Sequence, residues 1–332
     1  MNGGRLLAVN PNPALDRMEV VQGFALGEPL RAIDTVIYPG GSGVHAALVA
    51  SQLGAPAVRV VAPVGGPAGA HWRSMLEKQG VLVTVVEIAG ETRTNVSIVD
   101  AERGAQVELI EAGPGLTEAN VQALLAAALT WVQAGTVVII GGSLPPGLDA
   151  GAIGTLIAAV HERGGTAICD VAGSTLDQAL RQQADWIKVN AFEFATGVGV
   201  AANDPAAIWR ELRRLTAPRS HVVVSLGRWG TLMKTPAQPI VYLEPLAARP
   251  FNPIGSGDAM VGAIAAGVLR GLAPASIMAQ AVAAATDNMA YVEAGRVSPH
   301  SVAILAKRVK ARPVTNAEEV FTWIQQLANA SE

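Results

Sequence analysis

Cysteine is nearly absent from this sequence of 332 residues, in which Cys169 is the single thiol. A lone cysteine excludes a disulfide framework and is typical of a reducing compartment, so we expect a cytoplasmic protein. Cys169 lies in the apolar run 166–170, where we interpret it as a small core residue on a buried strand. Residues 1–5 lack the long apolar segment of a signal peptide, which agrees with that expectation.

An excess of charge of one sign is also missing. The chain has 24 lysines and arginines against 27 aspartates and glutamates, a formal net charge of -3. Its apolar runs are broken by glycine, proline or charge well before the ~20 residues that cross a bilayer. We therefore expect no nucleic-acid partner and no membrane partner. Any bound phosphate must be held locally, by backbone amides and a few basic side chains.

Several motifs that would assign a function at once are absent from the sequence. It contains neither a Walker A pattern nor Gly-X-Gly-X-X-Gly, which excludes a P-loop and the dinucleotide fingerprint. The Gly-X-Ser-X-Gly elbow of many hydrolases is missing as well. The five histidines are scattered without the spacing of a zinc site.

The sequence is rich in short segments of valine and isoleucine that alternate with stretches of helical spacing, and half of its residues are hydrophobic. This alternation predicts an α/β fold with a parallel sheet covered on both faces. We expect the C-terminal part to be mostly helical. The predicted strands are 6–9, 58–62, 137–140, 167–170, 186–189 and 222–226. The predicted helices are 45–53, 72–79, 118–132, 150–163, 176–183, 205–215, 257–270, 276–292 and 317–328.

Two regions break the alternation, because strands follow one another there without a helix between them. We predict a single domain over residues 1–332, with lid strands inserted at about 15–38 and 92–111 that form a small sheet. Such a sheet leaves an apolar face and open edges that a partner could bury, so we expect a homodimer through the lid. The lid segments are 17–21, 30–38, 92–100 and 106–111, the last two forming a hairpin around residues 101–104.

The most informative segment runs from Asn252 to Met260, where glycines precede an apolar helix. Free N–H groups and the positive end of the helix favour an anion such as phosphate there, and glycine lets the backbone approach it. Asp258 would lie in the first helical turn. Its carboxylate is suited either to cap the helix or to accept a proton from an attacking hydroxyl, and this segment alone leaves both possibilities open.

Four further segments, 39–45, 141–147, 188–193 and 225–230, lie at predicted strand ends, where ligands of parallel sheets bind. The first is rich in glycine and can lie against a polar ligand, and the second holds Ser143 in a turn stiffened by prolines. The third combines a cation, an amide and a carboxylate, which suits nucleotide phosphates and hydrated magnesium. Each segment taken alone is also consistent with an ordinary turn or helix start.

Taken in order, these segments resemble the ribokinase-like (PfkB) family of carbohydrate kinases, from Leu6 to about Gly295. The resemblance is to the phosphosugar branch, which includes 1-phosphofructokinase and tagatose-6-phosphate kinase. It rests on Asn12-Pro-Ala-Leu-Asp16, Gly40-Gly-Ser-Gly-Val-His45, Thr92-Arg-Thr-Asn95, Gly142-Ser-Leu-Pro-Pro-Gly147, Asn190-Ala-Phe-Glu193 and Gly255-Ser-Gly-Asp258.

The resemblance implies a Rossmann-like α/β/α ribokinase fold with a small β-sheet lid, and transfer of the γ-phosphoryl of ATP to a sugar hydroxyl with Mg²⁺. Asp258 would be the general base, and the amides of Gly255, Ser256 and Gly257 would form an anion hole. The implied sugar contacts are Asp16, Gly40, Gly41, His45, Arg93, Asn95 and Ser143. The implied ATP contacts are Lys188, Asn190, Ser225, Gly227 and Gly230, with Glu193 holding magnesium through water.

The first signature of this family often reads Gly-Gly-Lys-Gly-X-Asn, whereas Ser42 and His45 replace the lysine and the asparagine here. The favoured activity is that of a 1-phosphofructokinase-like enzyme, with fructose 1-phosphate, fructose 6-phosphate or tagatose 6-phosphate as acceptor. Because Ser42 removes a cation that could meet a substrate phosphate, a kinase of a non-phosphorylated sugar or nucleoside is the alternative. A catalytically weak sugar-binding or regulatory protein is a further alternative, against which the intact Asp258 argues.

Overall fold

The structure is a computed structural model that describes residues 4–23, 27–103, 106–236, 238–248 and 251–329. Its strands are β1 (Arg5–Val9), β2 (Ala14–Val21), β3 (Ala32–Gly40), β4 (Val58–Val64), β5 (Leu82–Glu87), β6 (Arg93–Asp100), β7 (Gln106–Leu109), β8 (Thr136–Gly141), β9 (Thr166–Asp170), β10 (Trp186–Asn190), β11 (His221–Ser225), β12 (Thr231–Lys234), β13 (Ile240–Leu243) and β14 (Ala311–Val314). Its helices are α1 (Ser42–Gln52), α2 (Gly66–Lys78), α3 (Glu118–Trp131), α4 (Ala150–Glu162), α5 (Ser174–Arg181), α6 (Ala191–Val198), α7 (Pro205–Arg214), α8 (Ser256–Leu269), α9 (Pro274–Asn288), α10 (Pro299–Ala306) and α11 (Ala317–Asn329).

Ten strands form the main sheet, in the order β14-β13-β12-β11-β10-β9-β8-β1-β4-β5. From β11 to β5 every neighbouring pair is parallel. Most of these strands are rich in valine and isoleucine, whose branched side chains suit a sheet buried on both faces. The predicted α/β fold with a parallel sheet is therefore confirmed.

Helices cover both faces of this sheet and divide the core into two layers. On one face α1, α2, α8 and α9 bury large side chains such as Trp72 and Leu76. On the other face α3 to α7 bury Phe194 and Ile153, and the thiol of Cys169 belongs to this layer. The two helical layers do not cover the carboxyl ends of the parallel strands. Ligands of such sheets bind at these strand ends.

The C-terminal part is mostly helical as predicted, with α8 to α11 and the short β14 between α10 and α11. Three antiparallel strands that were not predicted from the sequence, β12 to β14, extend the sheet beyond β11. Each has only four residues, and β14 carries Pro313 and is largely exposed, so local periodicity gives little signal. Helix α9 also ends at Asn288, four residues before the predicted end, because the chain turns and the Met289 carbonyl accepts from the N–H groups of Phe251 and Asn252.

A second, four-stranded sheet has the order β3-β2-β6-β7, with β2 and β6 parallel and the outer pairs antiparallel. Its strands lie where the lid was expected in the sequence, although Gly104 of the predicted hairpin lies outside the described residues. Met18, Tyr38 and Val99 pack together on its inner face. Its outer face exposes Ile33, Ile37, Val107 and Leu109.

Helices α1 and α8 lie in close contact. A Cβ atom on Gly262 would lie 2.4 Å from the carbonyl oxygen of Ala46 and 2.8 Å from the Cβ of Val49, so only hydrogen fits there. This contact places the first turns of the two helices side by side at the carboxyl edge of the main sheet. Within the described stretches of chain, no helix is long and apolar enough to cross a membrane.

Candidate active site

A cavity of about 990 Å³ opens between the carboxyl edge of the main sheet and the inner face of the small sheet. Polar side chains converge on it from strand ends and helix starts, as in a ligand site. The main sheet and its helices contribute Ser143, Asp170, Lys188, Asn190, Glu193 and Asp258. The small sheet and the segment after it contribute Asp16, Tyr38, Arg93, Asn95, Ser97 and Glu108.

Asp258 lies in the first turn of α8, directly after the left-handed Gly255 (φ 75°, ψ 0°). A side chain at Gly255 would be strained by this backbone, and its Cβ would lie 2.5 Å from that of Ala294. The carboxylate of Asp258 turns toward α1, where its Oδ2 lies 2.8 Å from Nδ1 of His45 and the Ser42 hydroxyl also donates to it. An acidic group is thus held beside the N–H groups of a helix start.

Two carboxylates flank the buried ring of His45. Its Nε2 lies 3.2 Å from Oδ2 of Asp16, an ion-pair contact rather than an aligned hydrogen bond. Burial lowers the pKa of His45, but its contacts with Asp16 and Asp258 outweigh burial and raise the pKa to about 10. Burial raises the pKa of Asp258, but His45 and Lys188 outweigh it and leave the pKa below its usual range. At neutral pH the ring is therefore charged and Asp258 is ionised.

Lys188 and Asp170 form a buried ion pair between β10 and β9, with Nζ 3.0 Å from Oδ1. Burial raises the pKa of Asp170 to about 6, opposed by Lys188 and assisted by the charge of Asp258. Burial lowers the pKa of Lys188, but the charges of Asp170 and Asp258 outweigh burial and raise it. The ammonium lies against Gly257, where a Cβ would be 2.5 Å from Nζ. A cation therefore stands at the N-terminus of α8, which already favours anions.

On the small sheet, Asp16 is fixed from two directions. Its Oδ1 accepts a hydrogen bond of 2.8 Å from Nδ2 of Asn95, and its Oδ2 faces His45. Gly40 leaves room for this carboxylate, since a Cβ there would lie 2.3 Å from Cγ of Asp16. The carbonyl of Gly40 accepts a hydrogen bond from Nε1 of Trp72, whereas Gly41 lines the cavity directly.

Arg93 lines the cavity from β6 and is only 8% exposed. Its Nη1 donates to the carbonyl of Glu111 at 2.8 Å and its Nη2 to the carbonyl of Asn12 at 2.8 Å. The Oγ of Ser143 lies 3.5 Å from the same Nη2. In the part of the chain that the structure describes, the charges of Asp16 and Glu111 act on the guanidinium but neither forms an ion pair with it. Arg93 thus brings a buried positive charge without a directly bound counter-ion.

The model of the pfkB family carbohydrate kinases matches residues 12–299 of the sequence. The chain belongs to the pfkB family of carbohydrate kinases. This pfkB kinase is 28% identical over 263 residues to ATP-dependent 6-phosphofructokinase isozyme 2 of Escherichia coli, covering 78% of this chain and 84% of that protein. It is 28% identical over 317 residues to 1-phosphofructokinase of Rhodobacter capsulatus, covering 93% of this chain and 98% of that protein.

Solved structures agree with this assignment. Phosphofructokinase-2 of Escherichia coli in complex with fructose-6-phosphate superposes on the pfkB kinase with a TM-score of 0.82 and 25% identity, over 92% of this chain and 98% of that chain. The ribokinase of Thermotoga maritima shares the fold, with a TM-score of 0.71 at 18% identity. The family, the ribokinase-like fold and the class of enzyme predicted from the sequence are confirmed.

The remaining predicted nucleotide contacts of the pfkB kinase divide into two groups. Asn190 and Glu193 cap α6, because the Glu193 N–H donates to Oδ1 of Asn190 and the Asn190 N–H donates to Oε2 of Glu193, both at 2.8 Å. Both side chains also line the cavity. Ser225 stands beside Asn190 at the end of β11, and Gly227 and Gly230 flank the turn that follows. These three lie on the next loop along the sheet edge, outside the set of described residues that line the cavity.

Sequence reasoning missed Asp170 and Glu108, two acidic residues that line the cavity of the pfkB kinase. Asp170 ends a buried strand, and that position was the available signal. Glu108 stands on β7 among alternating polar and apolar residues, which shows which face it occupies but not what it faces. Burial raises the pKa of Glu108, and the charge of Asp16 raises it further.

Proposed function

We propose that this pfkB kinase transfers the γ-phosphoryl of ATP to a hydroxyl of a sugar phosphate, with Asp258 as general base. The observation that carries the proposal is the position of Asp258, an ionised carboxylate at the start of α8 that lines the cavity next to the ammonium of Lys188. As the acceptor oxygen bonds to the γ-phosphorus, its proton passes to Asp258 and the bond to the leaving ADP breaks. Such a base contributes roughly 10²–10⁴-fold to the rate.

Charge on the transferring phosphoryl group is met at the N-terminus of α8. We assign the anion hole to the amides of Gly255, Ser256 and Gly257, of which that of Ser256 donates a long hydrogen bond of 3.3 Å to the Pro253 carbonyl. Lys188, held by its ion pair against Gly257, adds a cation at the same place. Fixed donors of this kind in a site that excludes water are each worth ~3–4 kcal/mol of barrier.

ATP would lie over the ends of β10 and β11, with Asn190, Ser225 and the turn of residues 227–230 beneath it. Among the described residues, no group of three or more acidic, histidine or cysteine side chains could hold a metal directly. That sparse donor set fits Mg²⁺, which keeps several waters and takes other ligands from the nucleotide phosphates. Glu193 would reach the ion through water. When bound, Mg²⁺ supplies neutralisation of the phosphate charge.

The acceptor would lie between the two sheets, with its hydroxyls on Asp16 and Asn95. A phosphate on the acceptor is supported by Arg93, whose buried guanidinium is bound by no carboxylate of the described residues and lies beside Ser143. Arginine offers planar paired donors that match a phosphate. Relatives named 6-phosphofructokinase and 1-phosphofructokinase point to the same class, so fructose 6-phosphate, fructose 1-phosphate and tagatose 6-phosphate lead.

A non-phosphorylated sugar or nucleoside is the second candidate acceptor, and the acidic residues of the small sheet favour it. Three side chains on the described cavity wall can carry positive charge, namely His45, Arg93 and Lys188. The first and the third are each paired with carboxylates. Glu108 and Asp16 lie on the same face of the small sheet, on either side of β6, and negative charges there repel a dianionic phosphate.

An ADP-release assay over an acceptor panel tests the function and separates the candidates. The panel contains fructose, fructose 1-phosphate, fructose 6-phosphate, tagatose 6-phosphate and a nucleoside, with ATP and Mg²⁺. The main proposal expects the highest kcat/KM with one of the sugar phosphates. Higher kcat/KM with a free sugar or a nucleoside would establish the second candidate, and no acceptor-dependent ADP release with any compound would contradict both.

Glu108→Gln sharpens the same assay, because it removes one negative charge and keeps the shape of the side chain. If repulsion by Glu108 sets the choice, the variant gains kcat/KM for sugar phosphates relative to free sugars by about 10-fold, in line with the 1–3 kcal/mol of a charged contact. The matched control is Glu111→Gln, whose backbone carbonyl, the acceptor for Arg93, is unchanged. If Glu108→Gln leaves the ratio of kcat/KM for sugar phosphates to that for free sugars unchanged, Glu108 does not set the choice of acceptor. Arg93 would then be the residue that selects a phosphorylated acceptor.

A further inference from the structure

The ring of His45 connects the two sides of the cavity. It lies near the start of α1 and is only 4% exposed. Its Nδ1 is 2.8 Å from Oδ2 of Asp258 on α8, and its Nε2 is 3.2 Å from Oδ2 of Asp16 on β2. From β3 the ring of Tyr38 lies 6.0 Å away between centroids, and from β10 the charge of Lys188 acts on Asp258.

The charge of this ring follows from its neighbours. An ionised carboxylate can only accept hydrogen bonds, and both ring nitrogens of His45 face such oxygens. A neutral imidazole carries one proton, so its second nitrogen would turn a lone pair toward a carboxylate. An imidazolium carries a proton on each nitrogen and suits both neighbours.

We propose that His45 is a positioning residue: as an imidazolium it holds Asp16 and Asp258 at once, and so fixes the base relative to the acceptor. The inference rests on the proposed role of Asp258. His45 holds Oδ2 of the base from the side of α1, while the carboxylate lines the cavity in which the acceptor hydroxyl would lie. Asp16 is held in the same way, by Asn95 at one oxygen and His45 at the other.

The consequence is a continuous row of polar contacts from β6 of the small sheet to α8 of the main domain. Asn95 donates to Asp16, Asp16 faces His45, and His45 is bonded to Asp258. Binding of an acceptor hydroxyl at Asp16 is therefore coupled to the orientation of the base. A displacement of a reacting group by about 1 Å costs on the order of 10²-fold in rate, so this coupling acts on turnover.

The activity test compares His45→Asn with His71→Asn, a matched change at an exposed histidine of α2. We expect His45→Asn to lower kcat by roughly 10–100-fold with little change in the KM for ATP. Without the ring, the charge of Lys188 and the hydrogen bond from Ser42 are left to oppose burial, so the pKa of Asp258 rises and the acid limb of kcat moves to higher pH. Wild-type kcat together with an unmoved acid limb in His45→Asn would overturn the proposal, and His71→Asn should match wild type in both.

Stability as a function of pH gives a readout that needs no substrate. The pKa of His45 is raised in the folded state from 6.5 to about 10, so the stability it contributes is complete below the lower value and lost as pH rises through the upper one. The stability difference between wild type and His45→Asn should shrink between about pH 7 and pH 10. A stability difference that stays constant over this pH range would contradict the proposal that the His45 ring is charged.

Two outcomes separate this inference from the proposed function. If wild type phosphorylates no acceptor of the panel, the proposed function fails while the stability readout still decides the charge of His45. If His45→Asn does not fold, ¹⁵N NMR of the wild-type ring at about pH 8 replaces it. The His45 signals are assigned by elimination from Asn variants of the other four histidines, which are His71, His161, His221 and His300. Protons on both ring nitrogens support the proposal, and a neutral tautomer overturns it.

Discussion

The two sides of the cavity, for which we propose nucleotide and acceptor binding respectively, are built from different parts of the fold. Asp170, Lys188 and Asn190 stand at the ends of central parallel strands whose two faces are covered by helices. Asp16 and Arg93 stand on a small sheet whose outer face is exposed. The groups proposed for phosphoryl transfer therefore rest on the most constrained part of the chain, whereas those proposed to select the acceptor rest on a part that can change with less cost to the core.

The largest loss of activity is expected from Asp258→Asn, on the side of the cavity proposed to bind the nucleotide. Asparagine keeps the shape but cannot take the hydroxyl proton, so kcat should fall by roughly 10²-fold or more. Binding of ATP, measured by calorimetry, should be largely kept. Asp177→Asn, at an exposed position of α5, is the control and should leave kcat unchanged. Near-normal turnover in purified, folded Asp258→Asn would remove the carboxylate from the role of base.

The second largest effect is expected from breaking the buried ion pair between Lys188 and Asp170. Lys188→Met leaves Asp170 buried without its partner, so we expect a loss of roughly 3–5 kcal/mol in the free energy of unfolding. kcat/KM for ATP should fall by about 10–100-fold, because the cation at the start of α8 is gone. Denaturant unfolding and steady-state kinetics measure the two effects.

Lys188→Met with Asp170→Asn separates structure from function in this pair. The double variant has no unpaired buried charge, so it should recover much of the stability but none of the activity. Recovery of both would show that Lys188 serves the fold alone.

On the acceptor side, Arg93→Ala should raise the KM for the preferred sugar phosphate by about 10–100-fold, since a charged hydrogen bond is worth ~1.5–3 kcal/mol. The KM for ATP should move little. Arg17→Ala is the matched control, because Arg17 lies on the small sheet but is exposed and paired with Glu19. Equal effects of Arg93→Ala on acceptor and ATP would assign the residue to holding the carbonyls of Asn12 and Glu111 rather than a phosphate.

The smallest expected effect on catalysis comes from the outer face of the small sheet, where we predict the homodimer contact. Wild type should scatter light as a particle of about twice 34.1 kDa. Ile37→Glu, on the exposed face, should give a monomer because it would bury an unpaired charge, while Ile304→Glu on α10 should not. A monomeric wild type at working concentration would refute the lid dimer. The inhibited form of phosphofructokinase-2 from Escherichia coli is a tetramer, so the light-scattering mass also shows whether larger assemblies form.

Much of the fold could be predicted because the central strands have a strong local signal. The predicted strand 186–189 differs from β10 by one residue, since a short, mostly apolar run (Trp-Ile-Lys-Val) between polar residues favours a buried strand. Strands β12 to β14 could not be predicted in this way. β13 pairs with β14 across a long separation in the chain, and neither has enough residues for a periodic pattern.

In the site, the glycine-rich loops were predictable and the contacts between them were not. Gly255 and Asp258 are recognisable from their place before an apolar helix. The ion pair of Asp170 with Lys188 depends on which strands become neighbours, and the contact of His45 with Asp258 joins residues 213 positions apart. Such pairings follow from tertiary packing, which local sequence patterns do not contain.

The missing side chain at Gly262 sets a limit on how new activities could be obtained from this protein. Any larger residue there would meet the Ala46 carbonyl and push α1 away from α8, which would separate His45 from Asp258. Laboratory evolution toward another acceptor should therefore leave this helix pair untouched and concentrate its mutations on β7 and the residue after it. Libraries that randomise Gln106, Glu108 and Ile110 sample the cavity wall without disturbing the close approach of the two helices.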